Sequence, residues 1–204
     1  MFAFHYHSDP VAPESEDKYI VFKSQLLELF NQCNRCQEQT TADVTYTSGT
    51  LVQVTQTCQH CKLTRTWNNQ PYIGNMPVGN LLLAGAILFS GCHPVQTLHM
   101  FERFGLAVIA ESTFFRTQTN YLQPTIVNVW KDHQQGLVQQ LKEEYQGEVV
   151  LSGDGRSDSP GHCAKYGSYT VIEQQINKVL DIQHVQVSLV YMCILPGKAK
   201  LYYV

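Results

Sequence analysis

Cys33-Asn34-Arg35-Cys36 and Cys58-Gln59-His60-Cys61 are two Cys-x-x-Cys knuckles with 21 residues between them, and their reading decides the N-terminal half of the fold. Two thiolates on one tight turn can face a single point in space. Two such turns brought together offer four sulfurs in a tetrahedron, the geometry of a closed structural Zn²⁺ site. The gap is slightly longer than the usual spacing, by an amount a hairpin absorbs. That hairpin is legible: Val44-Thr45-Tyr46-Thr47 and Thr50-Leu51-Val52-Gln53-Val54-Thr55-Gln56-Thr57 alternate, are rich in β-branched residues, and flank Ser48-Gly49 as a tight turn. The spacing thus predicts a zinc ribbon with Cys33, Cys36, Cys58 and Cys61 as ligands. His60 could replace one of them, but Cys61 is better placed. The competing reading is four free or redox-active thiols; disulfides would require an oxidising compartment, of which the sequence carries no sign.

The bulk numbers bound the rest. In 204 residues, 44% hydrophobic and 15% charged, there is room for one large domain or two small ones, and the composition is globular. A net charge of −3 excludes indiscriminate attraction to nucleic acid while leaving local basic patches open. Of seven cysteines, Cys92, Cys163 and Cys193 remain beyond the knuckles, scattered as reduced intracellular thiols would be. The first residues show no basic region ahead of an apolar core, so no secretory signal is expected. The apolar run Leu81–Ser90 is about half of what spans a bilayer. A soluble protein with no membrane partner is expected.

Taken in order, residues 1–18 read as a flexible tail, and 19–70 as the ribbon preceded by a helix whose apolar stripe runs from Ile20 to Phe30. Leu63-Thr64-Arg65-Thr66-Trp67 extends the ribbon by a strand. Asn68 to Gly79 has the prolines and glycines of a linker. Residues 71–146 read as a helical domain: Asn80 caps a helix over 81–89, Pro94 opens one over 95–104, Glu111-Ser112 starts one over 113–122, and a long amphipathic helix follows Pro124. Three short helices with tight turns suggest a helix-turn-helix unit, with 112–122 as the recognition helix and Arg116, Gln118 and Asn120 able to reach phosphates or base edges. The alternative is an ordinary small bundle with an uncharged outer face. Trp67 and Trp130 read as core anchors of ribbon and helices. From 147 to 187 three strands form an antiparallel meander, with Asn177-Lys178 as the turn of its second hairpin. The fold class is therefore α+β.

Gly153-Asp154-Gly155-Arg156-Ser157-Asp158-Ser159-Pro160-Gly161-His162, at the end of the first of these strands, gives the chain its most specific resemblance. A four-cysteine ribbon, a helical domain and then this run resemble the transposase-derived proteins found in many copies in animal genomes, especially those of fish. The resemblance spans roughly residues 20–187 and implies that 147–187 is the start of a ribonuclease H-like core, with Asp154 as the first acid of a DDE/DDD catalytic set. It also implies DNA as partner, the nucleus as location, and Mg²⁺ or Mn²⁺ as catalytic ions only where the core is complete. The family's second and third acids lie beyond the third strand, whereas residues 188–204 form an ending unlike the fold's continuation. Asp154 is accordingly expected as a vestigial residue, and strand transfer is not expected. Asp158, Glu173 and Asp181 read as turn or strand-surface residues.

Three functions follow as expectations. The first is DNA binding through ribbon and helices, with Lys62 and Arg65, beside Arg35, forming a modest basic cluster. The second is a zinc-dependent protein-interaction module, joined to a second copy or another protein through an exposed sheet edge. The third is a metal-dependent nuclease or transposase whose missing acids come from a partner chain. The neighbouring pairs His162-Cys163 and Cys92-His93 lack a third orienting group for nucleophilic catalysis, and His5-x-His7 reads as incidental.

Overall fold

The structure, a computed structural model, describes residues 12–145, 149–159 and 164–186. The expected tail up to residue 11, His5, His7, His162, Cys163, Cys193 and the ending from residue 187 onward lie outside the described residues. The chain is α+β, with antiparallel sheets, and divides into two compact units, Met1–Thr125 and Ile126–Val204.

The first unit opens with a short helix α1 (Lys23–Glu28) followed by strands β1 (Thr40–Ser48), β2 (Leu51–Cys58) and β3 (Thr64–Asn68) in sheet order β1-β2-β3. Alternation in β2 buries Val54, Gln56 and Cys58 on one face, as the two-residue period of a strand requires. Against this face sits Phe30, 4% exposed, its ring 5.5 Å from that of Trp67. The expected apolar stripe of the first helix is only partly used. Ile20, Val21, Phe22 and Leu29 are exposed, because α1 is too short to lay a continuous face on the sheet.

The expected linker is instead built into the fold. Asn69 Oδ1 accepts from the Val52 amide at 2.8 Å and Asn69 Nδ2 donates to Thr50 O at 3.0 Å. Strands β4 (Tyr72–Ile73) and β5 (Met76–Pro77) then form a small hairpin. Helix α2 (Val78–Phe89) follows directly, with Pro77 at its N-cap. Asn80, expected as that cap, lies inside the first turn and sends its side chain to the tip of the β1–β2 hairpin.

Helices α3 (Pro94–Arg103) and α4 (Glu111–Thr117) complete a cluster with α2 around Ala84, Ile87, Leu98, Ile109 and Phe114. His93, beside Cys92 in sequence, caps α3 by accepting from the Gln96 amide. The helix expected over 113–122 is not uniform. After Thr117 the backbone widens into a π-turn, Gln118–Leu122, and continues as α5 (Gln123–Tyr145). A proline removes one helical hydrogen bond, and a π-turn just ahead of Pro124 takes up that mismatch without ending the helix.

In the second unit, α5 accompanies strands β6 (Leu151–Ser157), β7 (Tyr166–Glu173) and β8 (Lys178–Gln186), an antiparallel meander in that order. The turn of its second hairpin is Gln174–Asn177, which includes Asn177 of the expected pair at φ 51°, while Lys178 already opens β8. Leu137 and Leu141 of α5 and Val171 of β7 are buried. Trp130 on α5 is half-buried, its ring 6.0 Å from that of His133.

Glu173 departs most from expectation. It is fully buried rather than on the strand surface. Its two carboxylate oxygens accept from the Val150 amide at 3.0 Å and the Ile176 amide at 2.9 Å, pinning the start of β6 to the β7–β8 turn. Burial opposes its charge, but the amides of Ile176, Val150 and Gln175 outweigh it and hold the carboxyl below its ordinary value. A carboxyl whose folded pKa is depressed stabilises the fold above the unfolded pKa, and that contribution is lost as pH falls through the folded value. The second unit should therefore loosen below about pH 4. Amide exchange across β7 and β8, followed against pH, should show this acid limb in the native protein. The limb should be absent in Glu173→Gln, which is also less protected at neutral pH.

Candidate metal centre

Each knuckle is a turn closed by backbone hydrogen bonds at the open end of the β1–β2 hairpin. In the first, the Cys33 amide donates to Glu38 O at 2.8 Å and the Gln37 amide to Cys33 O at 2.9 Å. In the second, the Cys58 amide donates to Leu63 O at 2.9 Å. Both turns reverse through a left-handed residue directly after the second cysteine: Gln37 at φ 60° and Lys62 at φ 58°. Neither is glycine, so each stores backbone strain of about 1 kcal/mol. The two turns are near copies, facing one another because Thr40 of β1 pairs with Cys58 of β2.

This brings the four sulfurs together. Cys33 Sγ lies 3.5 Å from Cys61 Sγ, and Cys36 Sγ lies 3.5 Å from Cys58 Sγ. All four lie within 4.8 Å of one another. A disulfide would hold its sulfurs at about 2.05 Å, and the cysteines are free. A tetrahedron with metal–sulfur bonds of about 2.3 Å has sulfur–sulfur edges of about 3.8 Å. The observed separations fit a shared ion such as zinc. Among the described residues, these four cysteines are the group whose ligand atoms converge in this way. His60 is exposed and stays out of the group.

Electrostatics at the site favour a cation. The amides of Cys36 and Arg35 outweigh burial and hold the Cys33 thiol down at about 6; the Arg35 amide lies 3.4 Å from its sulfur. The Cys61 amide likewise holds Cys58 below its ordinary value. Cys36 accepts a lowering contribution from the Glu38 amide, yet burial and the surrounding thiols of Cys58, Cys61 and Cys33 push it up to about 12. Sulfurs this close cannot all carry charge unless a cation sits among them. A divalent ion bound among them would resolve the conflict by deprotonating its ligands.

A buried glutamine holds the centre to the sheet. Gln56, 3% exposed, donates through Nε2 to Phe30 O at 3.0 Å, Gln32 O at 2.8 Å and Thr40 Oγ1 at 3.1 Å. Thr40 Oγ1 in turn donates to Phe30 O. The chain entering the first knuckle is thereby fastened to the strand that ends in the second. Gln56 was not singled out from the sequence; the signal that places it is the strand period, in which it shares parity with Val54 and Cys58.

The remaining sequence-derived candidates are more dispersed. Lys62 is exposed on the second knuckle, and Arg65 lies on β3 with its guanidinium 6.0 Å from the Phe30 ring centre. Arg116 and Asn120 are exposed and Gln118 half-buried, divided between α4 and the π-turn. Asp154 is exposed in the middle of β6, accepting from the Gly155 amide. It pairs with Thr170, which pairs with Ile182, whereas Asp181 shares a row with Val171 and Gly153. Adjacent rows of a sheet point to opposite faces, so Asp154 and Asp181 do not converge. Asp181 already accepts from Gln183 and Gln134, and Asp158 from the Lys165 amide.

Among the described residues no helix is long and apolar enough to cross a membrane. Comparison with protein-family models, characterised proteins and solved structures finds no match to this chain.

Proposed function

We propose that this chain is a zinc-ribbon DNA-binding protein of transposase-like descent, acting in the nucleus without strand-transfer activity. The observation that carries the reading is the convergence of Cys33, Cys36, Cys58 and Cys61 within 4.8 Å. Four thiolates in a tetrahedron favour zinc among common divalent ions, and a centre closed by four protein ligands is structural rather than catalytic. The ribbon then serves as a scaffold that presents Lys62 and Arg65 at one end. The helix-turn-helix-like part supplies Arg116, Gln118 and Asn120. The divergence of Asp154 from Asp181, and the engagement of Asp158, Glu173 and Asp181 by their own neighbours, support a vestigial Asp154. Mg²⁺ or Mn²⁺ chemistry would require further acids beside Asp154.

The test is DNA retention by zinc-loaded protein over a salt series. Each lost phosphate contact lowers the slope of log affinity against log salt by about 0.9. Lys62→Ala with Arg65→Ala should weaken binding and flatten that slope by nearly twice this amount. Affinity unchanged in the double variant would remove the ribbon as the contact surface.

A second reading, a protein-interaction module, draws on a different observation. Tyr19, Ile20, Val21 and Phe22 form an apolar segment on the surface, 81%, 65%, 55% and 76% exposed. A stable oligomer in solution together with no DNA retention would favour it.

A further inference from the structure

The metal centre and the three-helix cluster share one structural member, the β1–β2 hairpin. Its open end carries the sulfurs, with Cys58 as the last residue of β2. Its tip, where Ser48 pairs with Leu51, lies roughly 23 Å away along the strand. That tip is fastened to the start of α2. Asn80 Oδ1 accepts from the Thr50 amide at 2.7 Å and from Thr50 Oγ1 at 2.8 Å, while Asn80 Nδ2 donates to Ser48 O at 3.0 Å. Gln70 bridges the same point, donating to Thr50 Oγ1 at 3.0 Å and accepting from the Gly79 amide. Gly49 completes the fit. It sits at φ +60°, and a Cβ there would run into both Asn80 and Ile109. Ile109 is one of the buried residues around which the helices pack.

Both sides of this junction have small cores. The ribbon buries Phe30, Leu51 and Val54 beside its two innermost cysteines, and the helices bury Ala84, Ile87, Leu98, Ile109 and Phe114. Small cores are marginal alone and gain from anything that orders a neighbour. Ligand binding that orders one element lends stability to every element folding cooperatively with it.

We propose that occupancy of the cysteine centre controls the order of the helical cluster through the Asn80–Thr50 junction. The metal then acts at a distance: it sets whether the α2–α4 surface, including Arg116, is presented in a fixed shape. The inference rests on the metal reading above and adds a coupling to it.

The experiment is hydrogen exchange of the full chain, loaded with one Zn²⁺ and then treated with a chelator, with metal content measured by native mass spectrometry in the same samples. Amides of α2 and those flanking Ile109 should exchange at least about tenfold faster after chelation, along with those of the ribbon. Asn80→Ala should retain one metal ion per chain, and chelation should then change α2 exchange far less. A wild-type chain that loses its metal, loosens its ribbon and keeps α2 exchange unchanged would overturn the coupling while leaving the metal reading intact. A reduced chain that takes up no Zn²⁺ would overturn the metal reading itself. Should Asn80→Ala not fold, the wild-type comparison decides alone.

Discussion

Cys58→Ser is expected to abolish metal binding and unfold the ribbon. Cys58 is 1% exposed, ends β2, and joins the sheet to the second knuckle. Structural zinc sites of this type contribute on the order of 10–16 kcal/mol of apparent binding free energy in small peptides. The ribbon's few apolar residues cannot replace such a contribution. The variant should purify with less than about a tenth of the wild-type zinc, because it loses both a ligand and the folded ribbon that gathers the other three. Its amide spectrum should lose dispersion across β1 to β3. Cys92→Ser is the control: Cys92 is exposed and stands apart from the centre, so metal content and fold should both match the native protein. A folded, zinc-loaded Cys58→Ser protein would show that three sulfurs suffice, and a folded, zinc-free one that the sheet stands without the ion.

Gln56→Ala is expected to be the most damaging change outside the cysteines. It removes the donor shared by Phe30 O, Gln32 O and Thr40 Oγ1. Leaving a buried carbonyl without a partner costs about 1–3 kcal/mol, and a cavity adds to this. A loss of about 3 kcal/mol in urea unfolding at fixed zinc concentration is the expected outcome. Gln56→Glu should be worse at neutral pH, since its carboxylate turns acceptors toward acceptors. It should recover in part as acid protonates that group. If Gln56→Ala unfolds at the native urea midpoint, the glutamine does not fasten the first knuckle.

The convergence of the four cysteines was legible because its signal is local in each half: two cysteines at a fixed spacing, twice, around an alternating hairpin. The order of the N-terminal elements followed from that. The C-terminal meander was legible for the same reason, with strands alternating between clear turns. Side chains whose role depends on a partner far along the chain were harder to place. Asn80 looks like a helix cap because asparagine commonly is one, yet its partners are Ser48 and Thr50. Glu173 looks like a surface residue because carboxylates usually are, yet two amides from outside its strand enclose it. Gln56 was recoverable from strand parity alone. The long helix after Pro124 was read from its pattern, but its unbroken join to α4 was not, because the π-turn that permits it leaves no compositional mark. The exposure of Ile20, Val21 and Phe22 was likewise hidden, since an apolar run does not say whether a surface exists to receive it.

The centre itself is tested most directly by titrating reduced, metal-free protein with Co²⁺ and recording its absorption. Tetrahedral coordination by four thiolates predicts saturation at one ion per chain, with intense visible ligand-field bands, strong sulfur-to-metal charge transfer in the near ultraviolet, and displacement by one equivalent of Zn²⁺. Weak bands of six-coordinate Co²⁺, or no saturable binding, would contradict it.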